Sequence, residues 1–150
     1  MITSFNHFSF TVADLDKTIK FYEDVFGLEF LSRARREPWF SEAVTGVKGA
    51  ELDMAFFKLQ NSGGAIGGGV LELIEYITPK GVKLDTTTCN IGSAHVCFNV
   101  ADFDGFVERL RANGVRFRGS IEQIPAGPNK GRKVAYIEDF DGNVIELISE

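Results

Sequence analysis

His7 and His95 are the only histidines in this chain, and each stands second in a recurring phrase. Asn6-His7-Phe8-Ser9-Phe10-Thr11-Val12-Ala13-Asp14-Leu15-Asp16 aligns with Ala94-His95-Val96-Cys97-Phe98-Asn99-Val100-Ala101-Asp102-Phe103-Asp104, with six of the eleven positions identical. A glutamate recurs in the same manner, since Val70-Leu71-Glu72-Leu73-Ile74 matches Val144-Ile145-Glu146-Leu147-Ile148. A histidine placed at random would meet its repeat-equivalent position roughly once in 150 trials, so the pairing points to a duplicated unit that kept its chemistry. Two imidazoles and two carboxylates form a borderline N/O ligand set suited to Zn, Ni, Co, Mn or Fe as the divalent ion. In a strand, Glu72 shares its face with Val70 and Ile74, and Glu146 with Val144 and Ile148. A carboxylate among apolar neighbours must find a cation, strong donors or a proton. Read one at a time, these residues are equally edge-strand, core or capping residues; only their repetition as a set of four favours a metal.

The elements that must position them also repeat. Phe8, Phe10 and Val12 alternate with His7, Ser9 and Thr11, the period of a strand, and Val96, Phe98 and Val100 alternate likewise with His95, Cys97 and Asn99. Asp14 and Asp16, then Asp102 and Asp104, follow as helix-capping carboxylates. Leu15, Ile19, Tyr22 and Phe26 then recur at helical spacing up to Gly27, as do Phe103, Phe106, Val107 and Leu110 up to Gly114. Three strands are expected after each helix. In the first half they fall near Glu29–Arg36, Glu51–Leu59 and Val70–Thr78, with a glycine-rich turn at Gly63–Gly69 before the last. In the second half they fall near Arg116–Ile121, Arg132–Glu138 and Val144–Ser149, with Asp139-Phe140-Asp141-Gly142-Asn143 as a hairpin turn. The order is βαβββ twice: module one over residues 1–79, a linker over 80–92, and module two over 93–150.

The 150 residues, 44% of them hydrophobic, suit one domain or two half-domains that need each other. A net charge of −5 with no basic block argues against nucleic acid and anionic membrane as partners and for a small-molecule substrate. No run reaches the roughly 18 apolar residues of a membrane span, and the start of the chain has no signal-peptide pattern. Cys89 and Cys97 are too few for a disulfide framework. The expected setting is therefore soluble and cytoplasmic.

These features together, with the closing Asp-Phe-Asp-Gly-Asn-Val-Ile-Glu-Leu-Ile, resemble the vicinal-oxygen-chelate superfamily of glyoxalases, bleomycin-resistance proteins and extradiol dioxygenases. The resemblance covers essentially the whole chain. It implies an α+β fold in which two βαβββ modules pack side by side, forming an eight-stranded, curved, incomplete barrel around a metal. It also implies His7, Glu72, His95 and Glu146 as the metal ligands and a homodimer as the assembly.

Members with His, Glu, His and Glu at these positions resemble glyoxalase I and related lyases, isomerases and epimerases. The resemblance therefore implies a proton shift alpha to a carbonyl through a metal-chelated enediolate, with Glu146 as first-choice base and Glu72 facing it. An Fe(II) extradiol-type dioxygenase and a non-catalytic drug-binding protein are the alternatives. For substrate binding, Arg33 and Arg35 could reach an anionic group from the second strand, and Lys130 lies in a Gly-Pro-Asn-Lys-Gly loop like the one that closes over anionic substrates in glyoxalase-type members. Trp39, Phe40, Phe56 and Phe57 read as pocket wall or core, and Cys97 as a small filler on the face of His95.

Overall fold

Residues 1–3, 5–59 and 69–150 are described by the computed structural model. The expected turn over Gly63–Gly69 lies outside the described residues except for Gly69. The chain divides into two units, residues 1–82 and 83–150. No helix among the described residues is long and apolar enough to cross a membrane.

In the first unit, β1 (His7–Val12) leads into α1 (Leu15–Asp24), followed by β2 (Glu29–Arg35), α2 (Pro38–Thr45), β3 (Glu51–Lys58) and β4 (Val70–Thr78). The four strands form one sheet in the order β1-β4-β3-β2, with β1 parallel to β4 and the other pairs antiparallel. Helix α1 begins where the aspartates predict: Asp14 accepts from the Lys17 amide at 3.0 Å. It ends as its glycine predicts, with Gly27 at φ 69° and the Leu28 amide reaching back to the Tyr22 carbonyl at 3.0 Å. Its buried stripe of Leu15, Phe21 and Tyr22 belongs to a core that includes Phe57, Leu71 and Leu73, and it packs against β3 and β4.

In the second unit, β5 (His95–Val100), α3 (Phe103–Ala112), β6 (Arg116–Phe117), β7 (Glu122–Gln123), β8 (Lys133–Glu138) and β9 (Val144–Ser149) repeat that plan. The order β5-β9-β8-β6 mirrors the first sheet, and β5 is again parallel to β9. Asp102 caps α3 through the Gly105 amide at 3.1 Å, and Gly114 closes it at φ 70°. The turn between β8 and β9 is built on Asp139, whose carboxylate accepts from the Asp141 and Asn143 amides at 3.0 and 2.9 Å. Neither sheet closes on itself, and the fold is α+β.

Two expectations are corrected. Among the described residues there are nine strands rather than eight, because the edge strand expected over Arg116–Ile121 shortens to β6 and a second short strand, β7, follows it. Both pieces pair with the same edge of β8, but Phe117 lies opposite Ile137 whereas Glu122 lies opposite Val134, so the register slips by two residues between them. The matching edge strand β2 slips by one residue at Leu31, between Phe30 and Ser32. The second correction is α2, which occupies a stretch where no element was expected. Its eight residues bury only Ser41, so it lacks the apolar stripe that betrays a helix in sequence, although Pro38 at its first turn and Gly46 at its end mark its bounds.

Candidate metal and substrate site

Parallel pairing of each opening strand with its closing strand sets the chemistry. His7 lies opposite Val70 and Ser9 opposite Glu72, so His7 and Glu72 stand one diagonal apart on the same face. His95 lies opposite Val144 and Cys97 opposite Glu146, which reproduces the arrangement. On the other side, Phe56 of β3 lies opposite Glu72, and Tyr136 of β8 lies opposite Glu146. Each glutamate is thus flanked by a small residue and an aromatic ring.

The side chains meet within each unit. His7 Nε2 lies 3.5 Å from Glu72 Oε2, and His95 Nε2 lies 3.1 Å from Glu146 Oε2. The glutamates are mostly buried, at 13% and 17% side-chain exposure, while the histidines are near half-exposed at 47% and 42%. His7 Nδ1 is 2.8 Å from Asn6 Oδ1. That oxygen only accepts, so Nδ1 carries the proton and the lone pair of the neutral ring falls on Nε2, facing Glu72. Two acceptors so placed require a proton or a cation between them. Among the described residues no group of three or more His, Cys, Asp and Glu is gathered around one point; each unit offers a pair. The donor set, imidazole nitrogen beside carboxylate oxygen, fits a borderline divalent ion.

Tyr136 and Cys97 give the second pair surroundings the first lacks. The Tyr136 ring packs edge-on against His95 at 5.2 Å between centroids, and its Oη lies 3.4 Å from His95 Nε2. Desolvation raises the pKa of the phenol, and the Glu146 carboxylate adds to the effect. Desolvation likewise pushes the Cys97 thiol up to about 12, with Glu146 again adding. Neither Tyr136 nor its neighbour Arg118 was singled out from sequence. The signal for Tyr136 was present: a hairpin centred on Asp141 pairs position 136 with 146.

A recess of about 380 Å³ opens beside His95 within the second unit, lined by Thr88, Arg118, Gly119 and Tyr136. Arg118 is held there by Thr86, whose carbonyl accepts from Nη1 at 2.9 Å and whose Oγ1 accepts from Nη2 at 2.7 Å. Glu138 Oε2 completes an ion pair with Nη2 at 2.9 Å, and Glu138 also binds Arg116. These two arginines hold the Glu138 carboxyl below its usual range despite burial.

Of the cations expected to bind substrate, Arg33 and Arg35 stand on the other face of the first sheet. Arg33 lies opposite Ala55 and Arg35 opposite Asp53, on the face away from Glu72, because the slip at Leu31 resets the alternation of β2. Asp53, only 1% exposed, accepts from Arg33 Nε and Nη2 at 3.0 and 2.9 Å and from Arg35 Nε at 3.0 Å. Arg33 Nη1 reaches Asp16 at 2.6 Å. Lys130 is exposed in a loop whose own amides close it, Lys130 to the Gly127 carbonyl at 3.1 Å and Gly131 to that of Ile124 at 2.8 Å, and it does not line the recess. The aromatic candidates divide: Phe57 is fully buried, Phe56 is half-buried beside Glu72, and Trp39 and Phe40 are exposed on α2.

Residues 4–147 match the model of the Glyoxalase/Bleomycin resistance protein/Dioxygenase superfamily. A 2-epi-5-epi-valiolone epimerase from an Actinomyces species is 31% identical over 148 residues, covering 96% of this chain and 78% of that protein. A lactoylglutathione lyase from Schizosaccharomyces pombe is 28% identical over 97% of this chain, which spans only 47% of that protein. Among solved structures, a glyoxalase family protein from Bacillus cereus superposes with a TM-score of 0.78 at 26% identity, covering 100% of this chain and 95% of the other. The duplicated strand order, the paired His and Glu registers and these matches agree, and the chain belongs to the glyoxalase/bleomycin resistance protein/dioxygenase superfamily.

Proposed function

We propose that the chain is a divalent-metal-dependent enzyme of the lyase or epimerase type that shifts a proton alpha to a carbonyl. The observation that carries this reading is the twofold His–Glu pair: each unit sets an imidazole nitrogen against a mostly buried carboxylate at an equivalent register. In this reading His7, Glu72, His95 and Glu146 hold one ion together. Bound there, it would supply Lewis acidity toward a carbonyl oxygen and so ease loss of the neighbouring C–H proton. Glu146 Oε2 takes that proton and returns it to the adjacent carbon on the same face, while delivery to the opposite face falls to Glu72 as the opposed carboxylate. Glu72 serves as the second carboxylate, from the other unit, and Asn6 fixes the ring of His7. The names of the relatives, an epimerase and a lyase, support reactions of this kind.

Metal content of purified protein is the first test. His7→Ala and Glu146→Gln are expected to lower the bound metal at least tenfold in affinity, and equal metal in all three proteins rejects the assignment. Incubation of the metal-loaded protein in D₂O with α-hydroxy ketones, hemithioacetals and acyl thioesters should show C–H exchange with at least one class. Oxygen uptake with catechols and no exchange would replace the reading with a dioxygenase.

A further inference from the structure

Resting on the proton-shift reading, we infer that Arg118 is a positioning residue for that reaction: through Thr86 it fixes residues 85–93 so that Thr88 stands in the recess beside His95 as a contact for substrate. Residues 80–92 read from sequence as a linker, yet from Asp85 onward the chain is closely bonded. The Asp85 carboxylate accepts from the Thr87 amide and hydroxyl at 2.9 and 2.6 Å. The Asn90 amide donates to the Thr87 carbonyl at 2.9 Å, and the Ser93 amide to that of Asn90 at 3.0 Å. Thr86 ties this loop to the second sheet. Its hydroxyl donates to the Gly142 carbonyl at 2.6 Å and accepts from Arg118 Nη2 at 2.7 Å. Its carbonyl accepts from Arg118 Nη1 at 2.9 Å and from Ser93 Oγ at 3.2 Å. Just beyond, Thr88 lines the recess with His95, Arg118, Gly119 and Tyr136.

Holding the loop leaves the arginine incompletely satisfied. Arg118 Nε and Glu138 Oε2 are buried and have no hydrogen-bond partner among the described residues, although Nη2 lies 2.9 Å from that oxygen. A bidentate pair through Nε and Nη2 would satisfy both atoms and withdraw a donor from Thr86. Unmet buried polar atoms are unfavourable, so an arrangement that keeps them beside His95 serves the recess rather than stability. The Arg118 amide donates to the Tyr136 carbonyl at 2.8 Å, which anchors the arginine to the strand whose phenol ring packs on His95. A hydroxyl on a loop held in this way meets substrate without first having to be ordered, which lowers the cost of binding.

The test measures C–H exchange in D₂O on the metal-loaded full chain with whichever α-hydroxy ketone, hemithioacetal or acyl thioester exchanges, and amide hydrogen exchange without substrate. Thr86→Val removes the hydroxyl and keeps the shape; Arg118→Lys keeps the charge and removes the fork. Each is expected to raise KM about three- to tenfold, with kcat falling less than about twofold, and to speed amide exchange over residues 87–93 about tenfold while β8 and β9 stay unaltered. Thr86→Ser should restore both. Thr88→Val should raise KM by a similar factor, and Thr86→Val added to it should contribute less than about twofold more, because both remove the same contact. Should Arg118→Lys fold poorly, the Thr86 and Thr88 variants carry the test. Additive KM effects, or faster amide exchange across β8 and β9 as well, would make the latch purely structural and overturn the positioning role. Unchanged KM or unchanged loop amides in Thr86→Val overturn it too and leave the proton-shift reading standing. No exchange of any probe by the unaltered protein refutes instead the proton-shift reading on which the role rests.

Discussion

Asp53 shows how a residue that sequence alone would place at a surface becomes a hub. It stands opposite Glu75, so two carboxylates lie side by side on the helix-facing side of the first sheet. Both are matched: Asp53 by Arg33 and Arg35, and Glu75 by the Leu15 amide at 2.9 Å and Lys80 at 2.6 Å. The Arg33 guanidinium holds the Asp53 carboxyl below its ordinary range, with Arg35 adding and burial opposing. Because the folded value is depressed, the stabilisation is present above about pH 4, where an unfolded aspartate ionises, and is lost as pH falls through the lower folded value. Asp53→Asn should cost about 1–2 kcal/mol at pH 7, discounted because Arg33 is partly solvated, and should flatten the loss of stability as pH falls below about 4. Chemical denaturation at a series of pH values checks both; an unchanged acid slope would dissociate Asp53 from acid stability.

At the scale of elements, the caps and closing glycines make each helix a local decision. Asp14 and Asp102 satisfy amides that no carbonyl can reach, and Asp14→Ala or Asp102→Ala should each lower stability by about 1 kcal/mol. Gly27 and Gly114 hold a left-handed backbone, so alanine at either should cost about 1 kcal/mol although, at Gly114, a methyl meets nothing within 4 Å. Urea midpoints measure these four variants, and equal stability for Gly114→Ala would mean that the turn relaxes to another conformation. The edge strands follow another rule. A slip of one residue in β2 moves Arg33 and Arg35 to the helix face, whereas Arg118 continues the register of β6, its amide donating to the Tyr136 carbonyl at 2.8 Å, and so stands on the face of Glu146.

For the whole molecule, duplication is the organising fact. Each unit has its own fully buried leucines, Leu71 and Leu73 in one and Leu110 and Leu147 in the other. Leu73→Ala and Leu147→Ala should each cost about 2–5 kcal/mol, read by thermal unfolding. If the four ligands share one ion, metal titration of the native chain saturates at one ion per chain. His7→Ala and His95→Ala would then each weaken that single event, and combining them would add far less than the sum. Saturation at two ions, with one lost in each variant, would instead make the pairs independent.

The opening strands, the capped helices, the closing strands Val70–Thr78 and Val144–Ser149, and the repeated His and Glu positions were all legible in the amino-acid order. Their signals are local: alternation, helical spacing, a capping aspartate, a glycine that must turn left. Face assignment at the His and Glu positions of β1, β4, β5 and β9 followed from period two alone, because the pairing of those strands runs without a slip across these positions. The fate of Arg33, Arg35 and Arg118 was decided only in three dimensions. A one-residue slip in register reverses which way every later side chain points, and the ion pairs that neutralise the arginines join residues 17 to 20 positions apart, a distance over which no local pattern carries information.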